Sequence, residues 1–409
     1  MRSLFSVLTF VVTSCIGQAQ SITLDSALTW TIRNNPIMKA ASFETSRQVA
    51  LTRGSISIPK TDASLMYGQY NSIQKNDNNI SVVQTMPFPS VWAAQKKLNK
   101  ELLISAKINE RVNENSLRFE VRQIFNHLLY LEAMNLILLK HDSLMRDVAR
   151  AVGLQYKTGE STLLAKTSAE TRRMEIANKR RRNEADRQIY LDKLRLLCGQ
   201  HFTGIQGEFD KTIPMIAMDS VSIVSNPSIA FVSQQISIAH HRARLEAAHL
   251  LPDLRIGYFN QTLIGVHNVN GTDTYFGSHK RFHGFQLGVS LPLWYKPFKA
   301  RLQAAVLSQK VAEEQEQAHT LELYQQFNQI QQELVKNNTS LLYYRESALK
   351  ASKLLRSQSA ISFKNGEIDY KNHLLNLQDA LTVEEEYLST QYEYNQNVIT
   401  INYLKGTDQ

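Results

Sequence analysis

The 409-residue sequence predicts a mainly α-helical chain with transmembrane β-strands, in which a strand hairpin and long coiled-coil helices occur twice in tandem. Three observations carry this. Matching segments recur at a nearly constant offset, apolar residues follow heptad spacing over long runs, and short segments ahead of those runs alternate apolar and polar residues with period two.

The duplication is legible in five pairs of segments. NNPIMKAASFETSRQVAL (34–51) matches SNPSIAFVSQQISIAHHRARL (225–245), and ISIPKTDASLMYG (56–68) matches HLLPDLRIGYF (249–259). VVQTMPFPSVW (82–92) matches GVSLPLW (288–294), YKTGE (156–160) matches FKNGE (363–367), and LLCG (196–199) matches YLKG (403–406). Pro36 and Pro227 lie 191 positions apart, Pro59 and Pro252 193, Pro87 and Pro292 205; Gly159 and Gly366, like Gly199 and Gly406, lie 207 apart. The one jump, of 12, falls inside the strand pair and is explained by a longer loop in the second copy, roughly 263–280. The predicted organisation is a signal peptide at 1–19, a first structural repeat at 20–205 and a second at 206–409, both within one domain.

Each element follows from local chemistry. Arg2, the apolar run Leu4–Val12 and the small residues of Gly17-Gln18-Ala19 read as an export signal cleaved after Ala19. A competing reading takes Val12-Thr13-Ser14-Cys15 as a lipoprotein signal that lipidates Cys15. Each copy then opens with a helix, about 36–57 or 227–251, ending near a proline. A strand follows in which Ala63, Leu65 and Tyr67, or Leu254, Ile256 and Tyr258, alternate with other residues. The return strand covers 80–86 or 282–291, where Phe285, Leu287, Val289 and Leu291 alternate with Gln286, Gly288 and Ser290. A proline-aromatic junction ends it, because proline stops a strand and suits a first helical turn. A helix of about 65 residues, a glycine turn and a helix of about 38 complete the copy.

In the long helices Leu117, Val121, Ile124, Leu128, Leu131, Asn135 and Leu138 are spaced alternately four and three apart. So are Leu323, Phe327, Ile330, Leu334, Asn337, Leu341, Tyr344 and Ala348. That is a coiled-coil seam with a polar residue admitted in each copy. Gly159 and Gly366 follow Lys157 and Lys364 at the ends of such helices, so YKTGE and FKNGE read as tips of antiparallel helical hairpins. Shorter helices are expected to stack beside the longer ones in a rod.

The formal charge of +9 admits a nucleic-acid partner, but an exported chain does not meet one. Cleavage at Ala19 leaves Cys198 alone, so no intrachain disulfide forms, and LRLLCG makes it a small buried residue. No apolar stretch beyond the N-terminus reaches the roughly 20 residues of a spanning helix, so any membrane crossing is by strands. Four strands cannot enclose a pore, and unpaired edges are costly in hydrocarbon, so several chains must pool strands. Phe88, Trp92, Trp294 and Tyr295 at the junctions suit a membrane-interface belt, with outer-membrane lipid as the neighbour. The alternative is a soluble β-layer packed on the helices, with those aromatics as its core.

The order signal peptide, Asn-Pro helix, strand pair, long helix, glycine tip and helix, duplicated, resembles the TolC-type outer-membrane factor family over essentially the whole mature chain. The most specific segments are AVGLQYKTGE (151–160) and FKNGEIDYKNHLLNLQDAL (363–381). The resemblance implies a homotrimer: a twelve-stranded barrel in the outer membrane, continuous with a periplasmic α-helical tunnel. It also implies a passive exit duct that docks to a periplasmic adaptor (membrane fusion protein) and an inner-membrane efflux pump. The apolar side of 285–291 would then face lipid, while Gln286, Gly288 and Ser290 line a watery lumen. Docking would involve the exposed tips: Lys157, Gly159, Glu160, Lys364, Gly366 and Glu367. Familiar members close the periplasmic end with aspartates after the second tip. Those positions hold Asn372 and Leu375 here, and the first-copy partner position holds Ala165, so Asp369 or Glu367, with Asn372, is the candidate for the aperture, the alternative being that Asp369 is a helix-start acid stabilised by the dipole.

The remaining constellations carry no chemistry. The basic run from Arg172 to Arg187 is interspersed with Glu175, Glu184 and Asp186 and reads as a solvated, ion-paired face. His267, His279 and His283 lack a ligand spacing, and His240 and His241 point about 100° apart on a helix. With no nucleophile, phosphate-loop or zinc motif, neither an enzyme nor a cofactor or metal is expected. Two rival functions remain: a duct for type I protein secretion, and a soluble periplasmic coiled-coil scaffold with no pore.

Overall fold

The computed structural model describes residues 21–209, 212–213 and 220–406. The expected signal peptide and Cys15 lie outside the described residues. The element order is β1 (Ser21–Ile22), α1 (Leu24–Asn34), α2 (Pro36–Arg53), β2 (Asp62–Tyr67), β3 (Asn78–Met86), α3 (Pro89–Lys157), α4 (Leu163–Cys198) and β4 (Gly204–Ile205). A short 3-10 turn (Ser220–Ser225) precedes α5 (Pro227–Ala248), β5 (Asp253–Thr262), β6 (Gly265–Val269), β7 (Thr272–Phe276) and β8 (Arg281–Ser290). Then come α6 (Lys296–Tyr343), a π-helical segment (Tyr344–Ala348), α7 (Leu349–Lys364) and α8 (Tyr370–Lys405).

The lengths agree between the two halves. Helix α3 has 69 residues; α6, the π segment and α7 have 48, 5 and 16, which together match it. Helices α4 and α8 have 36 each. At 1.5 Å per residue, α3 is ~100 Å long. The described residues form two compact units: one of those up to Lys39 with those of Glu114–Ser222 and from Gln325 on, the other of Ala40–Asn113 and Ile223–Tyr324.

In the first unit the heptad positions make the core. Leu117, Val121, Leu128, Leu131, Leu138, Phe327, Leu334 and Leu341 are all buried. The polar seam residues differ: Asn337 is buried, Asn135 half-buried. One cluster joins Val121, Phe125 and Leu128 of α3 with Leu191, Leu194 and Cys198 of α4 and with Ile22, Ala27 and Leu28. Cys198 is fully buried; Thr31 donates to its sulfur at 3.5 Å, and burial pushes its thiol up. Strands β1 and β4 pair in parallel, Ser21 with Gly204 and Ile22 with Ile205.

In the second unit β2, β3, β5 and β8 form an antiparallel sheet in that order. Val91 and Leu98 of α3 pack with Ile238, Leu245 and Ala248 of α5. The longer loop is not wholly irregular: β6 and β7 pair as a hairpin around Asn270 and Gly271, both at positive φ. Asn-Gly supplies the left-handed conformations that a two-residue hairpin turn needs.

The strand expectations hold to within two residues, and the first helices stop at Arg53 and Ala248 rather than 57 and 251. Helix α1, capped by Thr23 accepting from the Ser26 amide, is an additional element, and so is the π segment.

Truncating Leu128, which is fully buried, to Ala should lower unfolding free energy by about 2–5 kcal/mol. Leu136→Ala, 68% exposed eight residues on, should change it by less than about 0.5 kcal/mol. Chemical denaturation of both variants checks the seam; equal losses would contradict it.

Candidate functional site

One face of the sheet is mostly apolar, with Gln84 and Asn260 the polar residues among its inner rows. Register aligns Ala63, Val82, Tyr258 and Phe285 across all four strands, and Leu65 beside Ile80. Ile256 lies beside Leu287, and Met86, Leu254 and Val289 form a further row. These side chains share a face because residues two apart along a strand project the same way. They are open: Phe285 and Leu287 are 81% and 80% exposed, and Leu65, Ile80, Val82, Ile256 and Tyr258 are exposed too. The opposite face carries Ser64, Ser81, Arg255, Gln261, Gln286 and Ser290, with Ser64 and Ser81 hydrogen-bonded at 2.8 Å. Gly284 leaves room on it for the Phe259 ring, which would lie 2.8 Å from an added Cβ. Among the described residues strands β2 and β8 each pair on one side only.

The junction aromatics sit where the strands end. Trp294 is 85% exposed, Tyr295 and Phe88 are exposed, and Lys299 lies over the Tyr295 ring at 4.8 Å. Trp92 is half-buried and its indole N–H donates to the Ser57 carbonyl at 2.9 Å. An apolar ring with a bonded polar tip is what an interfacial residue needs.

The two tips share one geometry. Gly159 and Gly366 have φ of +81° and +75°. The Glu160 amide donates to the Gln155 carbonyl at 2.8 Å and Gly159 to Tyr156 at 3.2 Å; Glu367 donates to Ser362 at 2.8 Å and Gly366 to Phe363 at 3.1 Å. These are paired Schellman motifs, closing α3 and α7 with glycine in the left-handed region. Lys157, Glu160, Lys364 and Glu367 are exposed around them. Three residues beyond each glycine, Thr162 and Asp369 cap α4 and α8. Asp369 Oδ1 accepts from the Asn372 amide at 2.8 Å, so these two candidates are brought together by a helix cap.

The sequence reading passed over a second charged centre. Glu384, Glu385 and Glu386 are consecutive on α8, and between them they reach α3, α4, α7 and the π segment. Glu384 binds Lys140 at 3.2 Å, Arg356 at 2.7 Å and His141 Nε2 at 3.5 Å. Glu385 binds His141 Nδ1 at 3.4 Å and Lys179 at 2.8 Å. Glu386 accepts from the Tyr344 hydroxyl in the π segment at 3.0 Å. Burial opposes a charged His141, but the carboxylates on both its nitrogens outweigh this and raise its pKa. Burial likewise opposes the Glu384 carboxylate, yet His141, Lys140 and Arg356 bring it down to about 2. Nothing in the run VEEEYL signals these contacts, which span up to 244 positions. Among the described residues no group of His, Cys, Asp and Glu could hold a metal.

No protein-family profile and no curated protein matches the sequence significantly. Solved structures do. The outer-membrane channel OprN aligns at 15% identity and TM-score 0.78, covering 94% of this chain and 89% of its own. CusC, studied for transmembrane channel formation, aligns at 13% and 0.77 over 93% and 91%. VceC, an outer-membrane protein of Vibrio cholerae, aligns at 13% and 0.76 over 94% and 96%. The fold is that of the outer-membrane channels. At such identities the likeness shows the fold alone.

The folded-state pKa of His141 lies above 6.5, so its contribution is fully present below that pH and is lost as pH rises through the folded value. Glu384 acts in the opposite sense: its contribution is present above pH 4.5 and is lost as pH falls toward about 2. Melting curves from acid to alkaline pH should therefore show a plateau between these limits. His141→Gln should flatten the alkaline fall and remove about 1.5–3 kcal/mol. Glu384→Gln, which takes one carboxylate from buried His141 and leaves half-buried Arg356 without its acid, should remove about 2–4 kcal/mol.

Proposed function

We propose that this chain is one subunit of a homotrimeric exit duct in the bacterial outer membrane. The single observation that supports it is a four-stranded sheet with an exposed apolar face and two half-paired edges. The strands alternate in direction, so β8 of one copy meets β2 of the next antiparallel, and three copies give twelve strands with no free edge. Lipid covers the Phe285 and Leu287 face; Gln286, Gly288 and Ser290 line water. Residues 20–205 and 206–409 then act as two repeats of one channel domain behind a signal peptide, 1–19.

In this reading the long helices enclose the periplasmic continuation of the duct. The Gly159 and Gly366 turns dock a periplasmic adaptor and an inner-membrane efflux pump, and Asp369 and Asn372 stand nearest the aperture. The work is conduction rather than catalysis, with selectivity in the pump. Type I protein secretion uses the same architecture and differs only in the pump.

Purified protein should give discrete conductance in planar bilayers. Recovery as a soluble periplasmic monomer that never conducts would remove the duct in favour of a scaffold. On the lipid face Leu287→Arg should weaken barrel formation by about 2–4 kcal/mol, read as loss of the heat-sensitive oligomer on gels. Gln286→Arg should preserve the oligomer and shift ion selectivity toward anions; equal loss in both variants would contradict the assigned faces. Reversing charge at Lys157 and Lys364 should reduce adaptor crosslinking, and undiminished crosslinking and export would exclude the tips from docking.

A further inference from the structure

One end of the sheet carries a second chemical feature on its apolar face. Residues 279–283 read HKRFH, and no acid occurs between Gly277 and Ser290. Register puts Arg281 and His283 on the face of Phe285, Leu287 and Val289. His279 and Lys280 are exposed in the turn just before, and Lys75 is exposed in the β2–β3 loop at the same end of the sheet.

Arg281 is aimed by neutral groups alone. Its Nε donates to Asn260 Oδ1, Nη1 to Asn78 Oδ1 at 2.9 Å and Nη2 to the Asn260 carbonyl at 2.9 Å. None of these acceptors is charged, so the guanidinium is fixed in place with its charge uncompensated by them. It has five N–H donors, and two remain. Among the described residues neither acid of the adjoining loops forms an ion pair with Arg281, although Asp77 sits on Thr262, the cross-strand neighbour of Arg281. Buried Asp77 accepts from the Thr262 hydroxyl at 2.9 Å and the Ile264 amide at 3.0 Å, and Asp273 accepts from Asn268 at 2.9 Å.

We propose that Arg281, His283, Lys280 and His279 form a site for the phosphates of anionic membrane lipid, at the level where the apolar face ends. This rests on the membrane reading above. Continuity with the apolar face selects a lipid over a free anion. Phe285 lies four residues below Arg281, about 13 Å along the strand, so one lipid places its chains on the apolar rows and its phosphate on the guanidinium. A fixed planar donor pair suits a phosphate oxygen pair, with Lys280 adding mobile charge and His283 a further ring N–H donor.

The test uses the full-length protein purified in detergent, with binding of diphosphoryl lipid A followed by thermophoresis. Its phosphate-free form and inorganic phosphate are the controls. The diphosphoryl form should bind about tenfold tighter than the phosphate-free form, a preference that shrinks at high salt. Replacing both Lys280 and His283 by Gln should remove most of that preference while the melting temperature in lipid-free detergent stays unchanged. Arg281→Gln should abolish it. Equal binding of the two lipid forms, or an unaltered preference in the double variant, overturns the proposal. Competition by inorganic phosphate at equal concentration overturns the lipid assignment and makes the site a soluble-anion site. Flotation with neutral phosphatidylcholine vesicles separates the two readings. A protein that floats but shows no phosphate preference loses only this site, whereas one that does not float loses the membrane reading itself.

Discussion

Backbone hydrogen bonding at the two edges of one small sheet constrains the rest of the molecule. Strands β3 and β5 are paired on both sides; β2 and β8 are not. Strand β8 is the critical one, because its ten residues, Arg281–Ser290, combine an open ladder with its most exposed apolar side chains. In water such an edge is a template for uncontrolled pairing. In hydrocarbon each orphan amide or carbonyl is costly, and nothing but another strand can satisfy it. Either solvent therefore demands a neighbour, and the exposed row Ile256–Leu287 states which solvent the face suits.

The sequence revealed most where chemistry repeats. Gly159 and Gly366 were readable because only a residue free to adopt positive φ closes such a helix end cheaply, and the equal 207-residue offsets required equal helices between them. The matching 36-residue lengths of α4 and α8 follow from that. The seam was readable because burial at Leu128 and Leu334 enforces a period. Two-residue strands such as β1 and β4 have no period to detect. Helix α1 has only 11 residues and is cut off from α2 by Asn35 in an extended conformation, so it left a weaker trace than its neighbours. Asn270-Gly271 did advertise the β6–β7 hairpin, but it lay inside a stretch read as loop. The π segment contains neither proline nor glycine, so no residue type announces it.

The candidate site divides in the same way. The apolar and polar rows of β8 were legible because alternation is a one-dimensional signal. Asp369 was marked as an acid near the second tip; its geometry gives it a capping bond that any helix start could use. The acid triplet was illegible because its partners come from α3, α4, α7 and the π segment, and only the folded chain assembles them. The same holds for Arg281, whose significance lies in what it fails to meet.

Heptad seams have a built-in ambiguity. Sliding one helix past another by seven residues replaces each apolar contact with an equivalent one, so the seam of α3 alone does not fix its register against α8. Three consecutive glutamates resolve this. Successive side chains on a helix point about 100° apart, so Glu384, Glu385 and Glu386 reach different neighbours at a single level. His141 meets a carboxylate on each ring nitrogen in only one register. Any slip strands a buried imidazolium on one side and a buried carboxylate on the other. Desolvation makes such a cluster a poor source of net stability, but the same penalty, applied to every wrong register, makes it an effective source of alignment. An aligned bundle also fixes where α3 and α7 end. The Lys157 and Lys364 turns are thus held at defined heights by charges eighteen residues from their glycines, Gly159 and Gly366, at His141 and Glu384.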